Sequence, residues 1–395
     1  MSSRPVGGIR TRATGCGFLA TFLLVSAPVR AGVIFEPATS LTLGIGTSIR
    51  SAAMAGAGSA LFWGEPDVWA NPATLSGLRG VGWQQGHSQL NPSFDDDVVF
   101  DTQQVLFGGA GIGASVMGQP FSGLGRARFE SAPITIDTGS GIETFTVYEQ
   151  TESFALGISP LRVVDALRAS AGSGQPRLTD VGEIAVGYQT EHTESGIEPG
   201  NLVPFEVWET VDWGVNGRLA LGRLLWPEVP FHLDFAAAYS ELNRAGQGRR
   251  SADGLRRVGF ALHGAPQPPA DRAAPPASLP WWRPASVPAF TATLAYDRDE
   301  RLDTSGGIES SADRVGLETE AFRLLALRVG YVSDPEADIH AVAYGGGVTL
   351  PVGPWGSAGY QLAYEPLSEG LKPRFRQGWS VWLDPARIWS DALRR

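Results

Sequence analysis

Apolar and polar residues alternate with a period of two along most of this chain, and sustained helical periodicity is scarce. In "AFTATLAYDRD", Phe290, Leu294 and Tyr296 fall on one face, while Thr291 and Thr293 fall on the other. An extended strand places successive side chains on opposite faces. The pattern therefore predicts strands with one apolar face and one small or polar face.

Three later stretches repeat the alternation but carry charges on the polar face. In "DRVGLETEA", Val315 and Leu317 alternate with Arg314 and Glu318, and "LLALRVGYVSD" and "GSAGYQLAYEP" have the same form. About fourteen such segments can be counted in the chain. They lie near residues 80–90, 102–110, 111–120, 143–157, 181–190, 206–213, 214–223, 230–240, 255–263, 289–297, 313–321, 323–332, 340–350 and 355–365, with 376–383 as a further candidate.

Two architectures fit this alternation, a soluble sheet and a membrane barrel. Most segments have about 8 to 11 residues, which is enough to cross a bilayer at a tilt, whereas soluble strands average about 5 to 6. Aromatic residues also gather at segment ends, where interfacial girdles lie in outer-membrane barrels; they are Tyr296, Tyr331, Tyr364, Trp355, Trp379 and Trp382. We predict an all-β protein, a transmembrane antiparallel barrel of about fourteen strands, with a soluble periplasmic β-protein as an alternative.

The barrel prediction assigns opposite surroundings to neighbouring residues. Leu327 is expected to face lipid, so Leu327→Arg should be costly, while a change at Arg328 on the lumen face should be mild.

The first 31 residues have the form of a secretory signal peptide. They carry several arginines, a short apolar run from Phe18 to Val25, and Val29-Arg30-Ala31 as a cleavage site. The single cysteine, Cys16, precedes the apolar run. The mature chain is therefore expected to contain no disulfide and no lipid anchor.

Charge excludes one class of partner. Removing residues 1–31 takes away four arginines and no acids, which leaves 27 basic and 41 acidic residues and a net charge of about −14. An acidic exported chain binds nucleic acids poorly.

The stretch at residues 52–78, "AAMAGAGSALFWGEPDVWANPATLSGL", differs from the strands that follow it. Its glycines and Pro66 weaken any helix, but small residues allow a close approach to other backbones. Asn71 before Pro72 is expected to be extended, with its amide free to bond to groups outside the segment. The residues singled out are Met54, Gly56, Gly58, Glu65, Asp67, Asn71, Pro72 and Ala73.

This small-residue run, acidic pair and Asn-Pro-Ala resemble the start of the FadL-like outer-membrane transporter superfamily, including its PorV-like branch. The stretch "VGLETEAFRLLALRVGY" is similar to strands of the same branch, so the resemblance touches residues 46–78 and 315–364. It implies a barrel whose N-terminal segment folds into the lumen as a hatch. The expected division is a signal peptide at 1–31, a hatch at 32–79, a barrel at 80–383 and a C-terminal tail at 384–395.

The resemblance also implies a function. We expect an outer-membrane transporter or channel for hydrophobic small molecules such as fatty acids, with membrane lipids and lipopolysaccharide around it. The alternative is a PorV-like component in protein secretion or surface attachment, with secretion-system subunits as partners.

Residues 264–289 are rich in proline and contain Trp281 and Trp282, which are candidates for a ligand entrance. The stretch follows the ninth counted segment, so it is expected at the end opposite the N-terminal segment, on the extracellular side. The long stretch 158–180 does not fit the same count, which indicates that a segment has been split or merged wrongly.

Enzymatic chemistry is not expected. His87 and Ser88 are adjacent on a strand and should point to opposite faces, so they do not form a nucleophile and base pair. Asp95-Asp96-Asp97 and the arginines near 249–257 are interpreted as solvated loops, although they suit a cation bridging lipopolysaccharide and lipid phosphates, respectively. The sequence predicts no cofactor and no metal site.

Overall fold

The computed structural model describes residues 46–89, 99–117, 126–130, 134–137, 142–172, 175–198, 206–226, 228–229, 231–245, 254–266, 288–302, 307–335, 339–352, 355–366 and 373–385. Sixteen antiparallel strands account for most of them. The strands are β1 (Gly80–Gln89), β2 (Val99–Gly109), β3 (Ile112–Met117), β4 (Arg126–Glu130), β5 (Ile134–Asp137), β6 (Ile142–Ile158), β7 (Gly182–Glu198), β8 (Glu206–Leu219), β9 (Phe231–Ala245), β10 (Gly254–Pro266), β11 (Phe290–Leu302), β12 (Ile308–Ala321), β13 (Leu325–Asp334), β14 (Ile339–Val352), β15 (Gly356–Glu365) and β16 (Arg374–Leu383).

The sheet closes on itself because β1 pairs with both β2 and β16. β3 and β4 share one position between β2 and β6, and β5 is a short addition to β6. Fourteen positions therefore surround the lumen, and the prediction of a barrel of about fourteen strands is confirmed. A closed barrel leaves no unpaired strand edge, which is the condition for strands to cross a bilayer.

The alternation predicted from sequence separates the outer surface from the lumen. On β13, Leu327 is 71% exposed, whereas its neighbour Arg328 is 8% exposed. On β11, Phe290 and Leu294 point outward, whereas Thr293 is buried on the inside. The outer surface is apolar and the lumen face is small, polar or charged.

The apolar outer band does not extend along the full strands. Outward tyrosines mark its limit, with Tyr344 and Tyr364 stacked at 5.2 Å and Phe260 and Tyr296 at 6.4 Å between ring centroids. One predicted girdle member differs, because Trp382 points inward and packs against a luminal cluster. Beyond the tyrosines, outward positions become polar, as at Arg298.

β1 begins and β16 ends at the same end of the barrel, here called the terminal end; the other is the distal end. The chain reaches the terminal end after β6, β8 and β10. The segments predicted at 206–213 and 214–223 are one strand, β8. Pro266 and Phe290, the strand ends between which this connection runs, therefore lie at the terminal end, and the prediction that places the connection at the opposite end is wrong.

Helices are few and short. They are α1 (Ile49–Ala53), α2 (Pro160–Ser170) and α3 (Leu221–Leu225), with 3-10 helices at Pro72–Gly77 and Leu178–Asp180. None of the helices in the described part of the chain combines the length and the apolar character needed to cross a membrane. The predicted signal peptide, Asp95-Asp96-Asp97, Trp281, Trp282 and most of the C-terminal tail lie outside the described residues.

Candidate functional site: the luminal hatch

Residues 46–78, here called the hatch, lie inside the barrel and follow its inner wall. α1 contacts β14 and β15, Met54 approaches β12 and β13, and Ser59 lies against β10 and β11. The 3-10 helix Pro72–Gly77 then contacts β8, β7, β6 and β3 before the chain enters β1. The hatch thus meets the strands in the reverse of their order along the chain.

Local sequence explains why the described helices of the hatch are short. Ser48 caps α1 by accepting a hydrogen bond from the backbone N–H of Ser51 at 3.1 Å. The helix stops at Met54, because Ala55 and Gly56 have φ angles of +58° and +88°. Asn71 is extended, and its side-chain oxygen accepts from the N–H of Ala73 at 3.0 Å to start the 3-10 helix.

Glycines on the lumen face of the wall make room for the hatch backbone. A Cβ atom at Gly187 would lie 2.2 Å from the backbone nitrogen of Ala73, and one at Gly214 would lie 2.1 Å from Oδ1 of Asn71. At Gly330 a Cβ atom would lie 2.2 Å from the carbonyl carbon of Met54. These glycines form a track that any side chain would obstruct.

The strongest polar attachment is centred on Glu318 of β12. Arg50 of α1 donates to both of its carboxylate oxygens, at 2.8 and 2.5 Å, and Arg328 donates at 2.6 Å. Arg328 also bonds to Gln361, which in turn donates to Glu65 of the hatch. We call these five residues the Glu318 cluster.

Arg50 remains charged in this setting. Burial lowers the pKa of Arg50, but the charge and hydrogen bonds of Glu318 more than offset this, so that the pKa lies above its usual value. A bidentate guanidinium and carboxylate pair fixes orientation as well as distance. Removing Glu318 would leave the buried charges of Arg50 and Arg328 without this counter-ion.

A second attachment uses backbone groups of the hatch. The N–H groups of Gly58 and Ser59 donate to Asp297 of β11 at 2.8 and 2.9 Å, and the Ser59 hydroxyl donates at 2.6 Å. Arg314 of β12 donates to the carbonyl of Ala55 at 2.8 Å and to Asp299 at 2.8 Å. Charged strand residues thus provide partners for the irregular backbone near Gly56 and Gly58.

The Asn-Pro-Ala segment is attached through Asn71. Its amide donates to the carbonyls of Ser59 and of Val215 on β8, both at 3.2 Å. Asp67 acts within the hatch, where it accepts from the N–H of Ala70 at 3.2 Å. Ala73, beyond Pro72, is fully buried against the wall.

The eight hatch residues named from sequence lie along the path of the hatch and contact different strands, and the wall residues that they contact were not named with them. Asp297, Arg314, Glu318 and Arg328 carry the attachments. The sequence did contain an indication of these partners, because charged residues recur on the inward face of successive strands. Arg50, a charged residue beside an alanine-rich run, was the corresponding signal in the hatch.

Part of the lumen is apolar. Four wall alanines, Ala236, Ala238, Ala261 and Ala295, pack against Met54, Ala57, Ala60, Leu61, Phe62 and Trp63 of the hatch. Trp63 also stacks on His263 of β10, with ring centroids 4.5 Å apart. We call this set the luminal apolar patch. A neighbouring cleft beside α1 differs, because polar side chains such as Thr102, Gln104 and Gln361 line it.

The two residues considered for hydrolysis lie on opposite faces of β1. His87 points outward and contacts Asp101 at 2.7 Å, whereas Ser88 is buried and accepts from Arg376 at 3.0 Å. They do not contact each other as a nucleophile and its base would.

No family model and no curated protein matches this sequence. Solved structures that align with it include the Ralstonia pickettii toluene transporter TbuX, at 9% identity and a TM-score of 0.44, and the P. putida toluene transporter TodX, at 11% and 0.43. A Pseudomonas aeruginosa FadL homologue aligns at 10% identity and a TM-score of 0.38. Each alignment covers 86% of this chain and 98% of the other.

Proposed function

We propose that this protein is an outer-membrane barrel in which the hatch controls the passage of hydrophobic small molecules such as fatty acids. The observation that carries the proposal is the luminal apolar patch, an apolar surface within a largely polar lumen. Six of the residues that form it belong to a segment that is not part of the wall; they are Met54, Ala57, Ala60, Leu61, Phe62 and Trp63.

The attachment of the hatch suits a movable element. Apart from its continuation into β1, the described hatch is held by side chains, as in the Glu318 cluster and at Asp297. Side-chain contacts of this kind can be exchanged for water without breaking the pairing of the strands. A shift of residues 54–63 would uncover the wall alanines while leaving the barrel closed.

An acyl chain fits the surface that this shift would uncover. Burying each methylene group is worth about 0.8 kcal/mol, and Phe62 and Trp63 offer flat apolar faces beside it. The proposal equates the terminal end with the periplasm, so that a ligand enters from the distal end and leaves past the hatch.

The test compares two inward-facing wall alanines, Ala261 inside the luminal apolar patch and Ala326 outside it. Protein purified in detergent is analysed for retained lipid by mass spectrometry, and proteoliposomes are assayed for uptake of a labelled fatty acid and of a sugar. Ala261→Asn should lower retained fatty acid and its uptake, because an amide in the patch would lose its hydrogen bonds to water. Ala326→Asn should change neither.

The opposite result would contradict the transport role. If the unaltered protein retains no lipid and fatty-acid uptake is indifferent to its presence, the patch serves packing alone. Recovery of a secreted protein or secretion subunit in pull-downs would then support the secretion role implied by the PorV-like resemblance.

Trp281 and Trp282 belong to the same route in this proposal. The strand ends on either side of them in the chain, Pro266 and Phe290, lie at the terminal end, so we assign the pair to the exit of the ligand rather than to its entrance. Replacing both tryptophans with alanine should lower uptake of a hydrophobic tracer and leave barrel assembly unchanged. Unaltered uptake by a correctly assembled variant would remove the pair from the route.

A further inference from the structure

Two connections at the terminal end expose a set of large apolar side chains. α2 lies in the connection from β6 to β7, and α3 lies in the connection from β8 to β9. Leu167 of α2 is 64% exposed and Leu225 of α3 is 58% exposed. The full set, here called the apolar ledge, is Val164, Leu167, Leu178, Val181, Leu224, Leu225, Trp226 and Val229.

The polar side of α2 is already engaged with the protein. Arg162 pairs with Glu183 and donates to the carbonyl of Gly77, at the end of the hatch, at 3.2 Å. Asp165 accepts from the N–H groups of Leu178 and Thr179 at 2.8 and 2.9 Å. These contacts orient the helix so that Val164 and Leu167 face away from the barrel.

Polar contacts join the two connections into one surface. Arg223 of α3 lies 3.0 Å from Asp180, and the N–H of Ala220 donates to the carbonyl of Val181 at 2.9 Å. Arg218 also donates to the carbonyl of Thr179. The apolar ledge is therefore a single surface at the terminal end of β6 to β9.

The ledge continues the outer band of the barrel. Outward residues at the adjoining strand ends are Ile158, Ile184, Leu219 and Phe231, and all four are exposed. An exposed apolar surface of this extent marks a site of interaction, and tryptophan is enriched where lipid meets water. The continuity with the lipid-facing surface indicates which occupant covers the ledge.

We propose that the apolar ledge is embedded in the interfacial region of the phospholipid leaflet at the terminal end. Leu167 and Leu225 would contact the upper acyl chains, and Trp226 would lie at the level of the headgroups. The barrel would then be held more deeply in this leaflet on the side of β6 to β9 than elsewhere. The inference rests on the barrel spanning a membrane and not on the nature of its ligand.

The test uses the full mature chain, since Cys16 lies in the predicted signal peptide and no other cysteine is present. Leu167→Cys and Leu225→Cys are labelled with a bimane fluorophore after the protein is reconstituted into phosphatidylethanolamine and phosphatidylglycerol vesicles. Leu327→Cys in the outer band serves as the lipid-facing control. Glu309→Cys, at an exposed position on the distal part of β12, serves as the water-facing control.

Labels on the ledge should behave like the label at position 327, with loss of quenching by iodide and strong quenching by doxyl-labelled phospholipid. Quenching by iodide as strong as at position 309 would overturn the proposal. Shielding from iodide without quenching by the lipid would also overturn it, since another segment or a second copy would then cover the ledge. Heat-modifiable migration checks that each variant is folded, and Val164→Cys replaces Leu167→Cys if that variant is not.

Discussion

At the scale of single residues, Leu327 and Arg328 show how differently two neighbours on one strand are placed. Leu327 faces outward, and Leu327→Arg is expected to cost about 2 to 4 kcal/mol if the residue lies near the bilayer midplane. Urea titration of the protein refolded into vesicles measures the change. A change below the uncertainty of the titration would show that this face does not contact lipid.

Arg328 corrects an expectation from the sequence. The sequence predicted a mild effect because Arg328 lies on the lumen face, but Arg328 is buried and shares Glu318 with Arg50. Arg328→Leu should therefore destabilise hatch docking by about 1.5 to 3 kcal/mol, the usual worth of a hydrogen bond to a charged group.

Two measurements test the role of Arg328: the sensitivity of the hatch to protease and the single-channel conductance of the barrel. Arg328→Leu should increase both, while Arg328→Lys, which keeps the charge, should have a smaller effect. Equal behaviour of the two variants would mean that the charge on Arg328 does not hold the hatch.

At the scale of elements, β8 offers a matched pair of glycines. A Cβ atom at Gly214 would lie 2.1 Å from Oδ1 of Asn71, whereas at Gly217 the nearest atom would be 3.8 Å away. Gly214→Ala should displace the hatch at a cost of about 1 to 3 kcal/mol, typical of overpacking, and Gly217→Ala should not. Increased conductance in planar bilayers for the first variant alone would confirm the glycine track.

β8 and the later strands β11 to β13 show what the sequence could and could not predict. The alternation on β11, β12 and β13 identified their faces correctly because each strand has one uniform environment on each side. The two segments predicted at 206–213 and 214–223 divide β8 at Gly214, which lies in the interior of the strand. A glycine is needed at position 214 because Asn71, some 140 residues earlier in the chain, packs against it. No local sequence pattern contains that partner.

At the scale of the whole molecule, the barrel can close without the hatch being docked. Each of the fourteen strand positions bonds to its two neighbours, including β1 to β16, so the wall does not need the hatch for its hydrogen bonds. We expect the protein to fractionate with the outer membrane and to migrate differently in unheated and heated detergent gels. Recovery as a soluble periplasmic protein without detergent would contradict the membrane barrel.

Deleting residues 46–78 tests the separation directly. The truncated barrel should still assemble, because Asp297 and Glu318 would exchange their hatch partners for water entering the lumen. In planar bilayers its openings should be larger and longer than those of the intact protein. Failure to assemble would make the hatch a structural support and not a plug.

The path of the hatch also has a consequence for the order in which the chain folds. The hatch is synthesised before the strands, yet Arg50 finds Glu318 only 268 residues later, and Ile49 reaches the side where β16 meets β1, near Gly86 and Gly378. Such distant contacts form late in folding. The segment that precedes all of the strands in the chain is thus expected to dock last, after β1 has paired with β16.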